Sequence, residues 1–385
     1  MREKMDAGQC DSKISYDYKY ILLWQDITGK MEKRMQRVTI KDIASETGFS
    51  IATVSRALSK RGGVKDNTQE YIREMAINMG YKINSVAQSL SRKKIVIGVV
   101  KPQEWSQFYG QIHCGIMREL ERLIDFNVTS ITVECEEGLS NDELLQVFLE
   151  MIDSGVNAVI ICTGVANDYS RVSELLHNKK IPFAEVGNAI FDDQSSVCVR
   201  VDSYLAGRLA GEYMREIVSN DAEVGILIGS QGIPDHVEKV CGFIEEFHCN
   251  NKRKVSIYET QDLPENAYKI TKEILEKHPR INGIYVGTVN SEQVCKCIEE
   301  FGTERQMKLV ITDIQPSLGA YVDSGIVSAA IFQNTIMQGR LAVKLLYDLV
   351  SRRKRTRRDM KVTPHIVLRS NFQCYLDSKE NELSL

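Results

Sequence analysis

The sequence predicts a small all-α unit containing a helix-turn-helix, followed by a much larger two-lobed α/β region built on parallel sheets. Three observations lead there. Between Thr39 and Gly80, apolar residues recur at helical spacing in three short segments, the first ended by Gly48 and the third by Gly80. From Ile95 onward, continuous apolar runs alternate with longer amphipathic segments, and the runs fall into two sets. Charge divides the chain at the same place: Gln36 to Lys94 holds eleven Lys and Arg against five Asp and Glu, a balance of +6, although the 385 residues together carry −3. Such asymmetry is the footprint of a polyanion-binding module joined to something that is not one.

In the first element, Thr39 caps a helix whose Ile40, Ile43 and Ala44 share one face, with Asp42 in the first turn, where the helix dipole favours an acid. Ser50 caps the second, with Val54, Ala57 and Leu58 inward, so that Ile51, Ala52, Ser55 and Arg56 face out. The third places Tyr71, Ile72, Met75, Ala76 and Met79 on one face. Three such helices bury a small shared core and leave the second exposed. Short side chains at Ile51, Ala52 and Ser55 suit a close approach to the major groove, where Arg56 reaches a guanine edge. The hydroxyls of Thr39, Ser50 and Thr53 suit phosphates, which position without specifying.

The stretch "VTIKDIASETGFSIATVSRALSKRGGVKDNTQEYIREMAINMGYKINSVAQSLSRKK", Val38 to Lys94, closely resembles the headpiece of the lactose-repressor (LacI/GalR) family of bacterial transcription regulators. The likeness is carried by "ATVSR", by the T-x-E of the third helix and by "GY-x-x-N-x-x-AQ-x-L". It implies a helix-turn-helix domain over 36–82, with Ser50 to Leu58 as recognition helix and Ile51, Ala52 and Arg56 nearest the bases. It also implies a hinge over 83–94. There "NSVAQSLSRK" from Asn84 folds on operator DNA as two copies pair, Ala87 marks the close approach, and Leu90 is the wedge in the minor groove. Two positions depart from the pattern: Ile83 stands where proline is common, and Lys65 where a serine often caps the third helix.

In the remainder, "IVIGVV", "VTSITV", "NAVIIC" and "PFAEVG" form one set of strands, and "EVGILIG", "KVSIYET", "GIYVG" and "LVITD" a second. Continuous apolar strands separated by amphipathic helices mean parallel sheets covered on both faces. Residues 95–385 thus resemble the two-lobed, periplasmic-binding-protein-like (type I) effector domain that follows the family's headpiece. In that fold a small ligand sits in the cleft at the strands' C-terminal ends, so residues just after strands are the candidates. The resemblance assigns ligand contact to Asp313, Gln333, Asn290, Asn188 and Lys239. Phe108 and Tyr109 are placed to stack on a sugar's apolar face. Lys239 stands where sugar-binding members often carry Arg, and Asn290-Ser291 where Asn-Asp is common, so the expected ligand is less anionic or differently hydroxylated than a typical hexose, or is not a sugar. Asp202 is expected to cap a helix, and the basic run Ser351 to Met360 to be a solvated loop.

Other classes are disfavoured. The six histidines show no metal-ligand spacing, no GxSxG elbow occurs, and "GSQG" is no phosphate loop, so neither enzyme, metal nor cofactor is expected. The ten cysteines are scattered without a CxxC pair and read as buried, reduced thiols in a cytoplasm. No apolar run approaches the ~20 residues of a membrane span. Residues 1–35 follow no pattern and read as a disordered extension or a start codon placed too far upstream. The expectation is a ligand-responsive repressor of carbohydrate-related genes. It binds operator DNA as a homodimer, with a tetramer as a further option, and takes a sugar or polyol as effector. The alternatives are a catabolite-control regulator governed by a phosphocarrier protein, and a solute-binding protein for sugar transport.

Overall fold

The computed structural model describes residues 38–59, 64–79, 81, 94–103, 106–136, 139–162, 168–188, 197–247, 253–302, 307–352 and 359–376. Residues 1–35, the hinge residues Asn84, Ala87 and Leu90, and 353–358 of the basic run lie outside the described residues. The chain forms two compact units, Met1–Gln88 and Ser89–Leu385.

In the first unit, α1 (Ile40–Thr47) opens on a reciprocal capping box. The Asp42 amide donates to Thr39 Oγ1, and the Thr39 amide donates to Asp42 Oδ2 at 2.7 Å. These bonds hold the Asp42 carboxyl below its usual range. Gly48 ends α1 at φ 74°, a left-handed cap that costs glycine little. In α2 (Ile51–Ser59) the Thr53 amide donates to Ser50 Oγ at 3.1 Å. The third helix, α3 (Asp66–Asn78), starts at Lys65 without a side-chain cap. Ile43, Ala44, Val54, Ala57, Ile72 and Ala76 form the core, and Gln69 Nε2 ties α3 to the Ala57 carbonyl at 3.1 Å. Tyr71 departs from the core face expected for it: it is 47% exposed and meets Phe49 edge-on. It sits about 100° around the helix from Ile72, at the margin of the apolar stripe.

The second unit has two lobes. Lobe one contains β1 (Ile95–Pro102), α4 (Ser106–Leu123), β2 (Val128–Cys135), α5 (Asn141–Asp153), β3 (Ala158–Cys162), α6 (Ser170–Asn178), β4 (Phe183–Val186) and β5 (Val197–Val201). Lobe two follows with α7 (Ser203–Ile217), β6 (Glu223–Ile228), α8 (Pro234–Phe247), β7 (Lys254–Glu259), α9 (Pro264–Lys277), β8 (Ile281–Val286), α10 (Ser291–Phe301), β9 (Lys308–Thr312), α11 (Gly319–Asp323) and β10 (Val327–Phe332). The chain then returns as α12 (Thr335–Arg352) and β11 (Asp359–Val362) to lobe one. It ends as β12 (His365–Val367) and α13 (Phe372–Leu376) in lobe two.

Sheet one has the order β11-β5-β4-β3-β1-β2, all parallel, and sheet two the order β12-β10-β9-β8-β6-β7. Both sheets carry apolar clusters on each face, as the continuous runs require. Among the described strands, the one departure from a parallel arrangement is β12, which runs antiparallel to β10. It enters lobe two directly from the C-terminal end of β11, at the cleft side, and can only run back from there. The other crossings, β5 to α7 and β10 to α12, leave from the same strand ends.

Asp202 caps α7, its Oδ1 accepting from the Leu205 amide at 3.2 Å. Helices α7 and α8 touch backbone to backbone: a Cβ on Gly207 would overlap the Lys239 carbonyl, and one on Gly242 the Tyr204 carbonyl. Among the described cysteines all thiols are free, but Cys241 and Cys374 are exposed and Cys114 half-buried, against the burial expected for them. Cys241 lies on the outer face of an amphipathic helix, where its sequence neighbours Val240 and Gly242 are buried and it is not.

Candidate nucleic-acid interface and ligand cleft

On the first unit, α2 buries Val54 and Ala57 and turns Ile51, Ala52, Ser55 and Arg56 outward. Ile51 is 52% exposed although it is large and apolar. Ser50 and Thr53 share a hydrogen bond of 2.8 Å between hydroxyls at the N-terminus, where backbone amides also point outward. Arg56 Nε donates to the Ala52 carbonyl at 3.2 Å, which lays the guanidinium along the face. The Thr39 hydroxyl donates to Asp42 Oδ2 at 2.7 Å, so this cap is already engaged within α1. One face thus presents the small Ala52 and Ser55, the apolar Ile51, one arginine and helix-terminal donors, the chemistry that a phosphate-lined groove accepts.

On the second unit, two adjoining cavities of about 230 Å³ and 50 Å³ open between the lobes and share Phe108, Val289 and Asp313. Lobe one supplies Phe108 and Gln111 from α4 and Asn188 after β4. Lobe two supplies Asp235, His236 and Lys239 from α8, and Asp262, Asn290, Asp313 and Gln333 from the segments following β7, β8, β9 and β10. Of these lobe-two side chains, Asp262, Asn290, Asp313 and Gln333 each follow a strand's C-terminal end, and the other three come from α8.

Asp313 and Asp262 hold left-handed backbones at φ 70° and 55°, conformations that cost a non-glycine residue free energy and cluster at functional sites. Asp313 Oδ1 accepts from Gln333 Nε2 at 2.8 Å, while Oδ2 is buried and has no hydrogen-bond partner. Asp262 Oδ1 accepts from Thr288 Oγ1, and its carboxylate occupies the space a Cβ on Gly229 would need. Burial pushes both carboxyls up, opposed for Asp313 by Gln333 and Lys239 and for Asp262 by Thr288 and Lys239. Lys239 Nζ donates to the Gly287 carbonyl at 3.2 Å; burial lowers its pKa, against the pull of Asp313, Asp235 and Asp262. His236 falls from 6.5 to about 3 through burial and the Lys239 charge, so it is neutral.

Of the sequence-predicted ligand residues, Phe108, Asn188, Lys239, Asn290, Asp313 and Gln333 gather at these cavities. Tyr109 also touches the smaller one, but it is 1% exposed in the lobe-one core. It meets Phe108 edge-on at 5.1 Å. Successive helical residues diverge by about 100°, so Phe108 is the ring offered to the cleft. Sequence reading missed Asp235, His236, Asp262, Thr288 and Gln111. Asp235 lies one turn before Lys239, the i, i+4 spacing that shares a helix face, and Asp262 follows a strand; both signals were legible.

Residues 39–84 match the bacterial regulatory proteins of the lacI family, and 97–354 match the periplasmic binding protein domain. The chain is a member of the LacI family. Among curated LacI-family relatives, it is 23% identical over 326 residues to the HTH-type transcriptional regulator MalR of Streptococcus pneumoniae, covering 82% of this chain and 94% of that one. It is 26% identical over 256 residues to catabolite control protein A of Priestia megaterium, covering 65% and 74%. Among solved structures, a solute-binding protein from Burkholderia graminis in complex with D-arabinose matches 74% of this chain and all of its own, with TM-score 0.67 and 19% identity. A solute-binding protein from Bacillus halodurans with bound myo-inositol matches 73% and 97%, with TM-score 0.64 and 14% identity. These likenesses establish the two-lobed fold. LacI-family membership makes the protein a DNA-binding transcriptional regulator. Among the described residues no helix is long and apolar enough to cross a membrane.

Proposed function

We propose that this chain is an effector-controlled repressor of carbohydrate-related genes. In this reading two copies read a near-palindromic operator, each placing α2 in one half-site. The observation that carries it is the joining, in one chain, of a lacI-type headpiece to a cleft lined by Asp313, Asn290 and Gln333. Carboxylate and amide side chains at strand ends suit hydroxylated ligands because they supply fixed acceptors and donors. Relatives named for maltose and ribose control support the carbohydrate assignment. Effector binding in the cleft and operator binding at the headpiece are linked, so each changes the other's affinity by the same factor. The protein acts by binding, without catalysis.

Genomic fragment capture by the purified protein at near-physiological salt, followed by sequencing, tests this reading. One near-palindrome is expected, and Leu90→Ala, in the hinge, should abolish its capture while leaving effector affinity unchanged. Diffuse, salt-sensitive binding without a motif would overturn it. A second reading rests on the likeness to catabolite control protein A. It places a phosphocarrier protein as the controlling partner, and tight operator capture only when such a carrier is added would favour it.

A further inference from the structure

Resting on the reading of the cleft as an effector site, we propose that charge selects its ligand. The cleft takes a polyhydroxylated molecule that is neutral or carries a protonated amine, held jointly by Asp235 and Asp313, and rejects the phosphate ester of the same molecule.

The charges lining the two cavities are Asp235, Asp262, Glu292 and Asp313 against Lys239. Lys239 is 5% exposed, commits one of its three N–H donors to the Gly287 carbonyl, and faces Asp313, Asp235 and Asp262, so its single positive charge is outweighed by the carboxylates around it. Arg200 of β5 approaches from lobe one, but its guanidinium is engaged behind Asp235. Its Nη1 donates to Asp235 Oδ1 at 2.7 Å and to Glu238 Oε2 at 2.9 Å, and its Nε stands 3.8 Å from Asp359. An anion entering this space would meet fixed carboxylates in a low-dielectric cleft, where repulsion is screened far less than in water.

The orphaned atoms specify what does fit. Asp235 is 3% exposed; its Oδ1 is fixed by Arg200 and by Ser203 Oγ at 3.0 Å, and its Oδ2 has no hydrogen-bond partner. Asp313 Oδ2 is in the same condition. Ionised carboxylate oxygens only accept, so both require O–H or N–H donors, and a buried acceptor without one is costly. Asn290 is 6% exposed with an unpartnered Nδ2, a donor for one ligand oxygen. Hydroxyls serve all three; an ammonium serves the two carboxylates with charge assistance. Arg200 is a positioning residue, holding Asp235 from the opposite lobe.

Calorimetric titration of the full chain with glucose, galactose and mannose, with their 2-amino-2-deoxy forms and with their 6-phosphates tests the proposal. At least one neutral or amino member should bind, and at least ten-fold tighter than its 6-phosphate. Asp235→Asn, checked for folding by its melting transition, should weaken that member at least ten-fold, and the amino form more than the neutral one. A 6-phosphate that binds as tightly as its parent overturns the proposal, as does unchanged affinity in the folded variant. So does the failure of all nine compounds, which leaves operator capture standing as a separate result. Should Asp235→Asn not fold, the comparison on the unaltered chain decides alone.

Discussion

Arg200 and Asp235 form a buried ion pair across the two lobes, Nη1 to Oδ1 at 2.7 Å, with side chains 9% and 4% exposed. Arg200 belongs to β5 of the first sheet and Asp235 to the first turn of α8 in the second lobe. The pair sits within a larger charge network: Lys361 of β11, paired in register with Arg200, reaches Asp202 at 3.5 Å and Glu238 at 3.9 Å. One helix therefore lines the cleft with Lys239 and His236 while its N-terminal turn is gripped by the opposite lobe.

Removing one partner of a buried pair leaves the other charged and unpaired. Arg200→Met should cost about 3–5 kcal/mol of stability by urea denaturation. Asp235→Asn, which leaves a neutral acceptor, should cost less. An Arg200→Met loss under about 1 kcal/mol would mean water or a shifted Lys361 replaces the guanidinium.

His236 supplies a pH signature. Its folded pKa is about 3 against 6.5 unperturbed, through burial and the Lys239 charge. The unfolded chain therefore takes up this proton first. The contribution is fully present above pH 6.5 and is lost as pH falls from 6.5 toward about 3, at about 1.4 kcal/mol per pH unit. Asp262 and Asp313, whose folded pKa values are raised, act in the opposite sense: their contribution is present below the unfolded value of 3.8 and lost as pH rises through the raised value. His236→Gln should flatten the acid limb between pH 6 and 5, measured by denaturant midpoint against the parent chain; a parallel acid limb would show the ring is not buried neutral.

Gly207 is required by the contact between α7 and α8. A Cβ there would overlap the Lys239 backbone carbonyl, which no rotamer change relieves. Gly207→Ala should cost about 1–3 kcal/mol and displace Lys239, weakening effector binding as well. Unchanged melting and effector affinity would show that the helices can separate freely.

Arg56→Ala should cost about 1–3 kcal/mol of operator affinity and relax specificity at one base position. Quantitative binding to a set of single-base operator variants distinguishes this from a phosphate contact, whose loss weakens all sequences alike.

Local chemistry determined much of this protein in its sequence. Thr39 with Asp42, Gly48, and the apolar spacing of Val54 and Ala57 set the headpiece helices, because caps and amphipathic faces involve residues within a few positions of each other. Eight apolar runs set eight strands of the two lobes, and strand ends named Asn290 and Asp313. The strands β5, β10, β11 and β12 were not legible: Arg200 interrupts the first, Ser328, Ala329 and Ala330 dilute the second, and the last two are only four and three residues long. Tertiary structure alone decided that Phe108 and not Tyr109 faces the cleft, that Asp235 and Asp262, each legible singly from its place on a helix face or after a strand, converge with Asp313 on Lys239, and that Arg200 reaches Asp235 across 35 residues. Each depends on where separate segments meet when two sheets and their helices close on one another, and pairing at that range leaves no periodic trace in either segment.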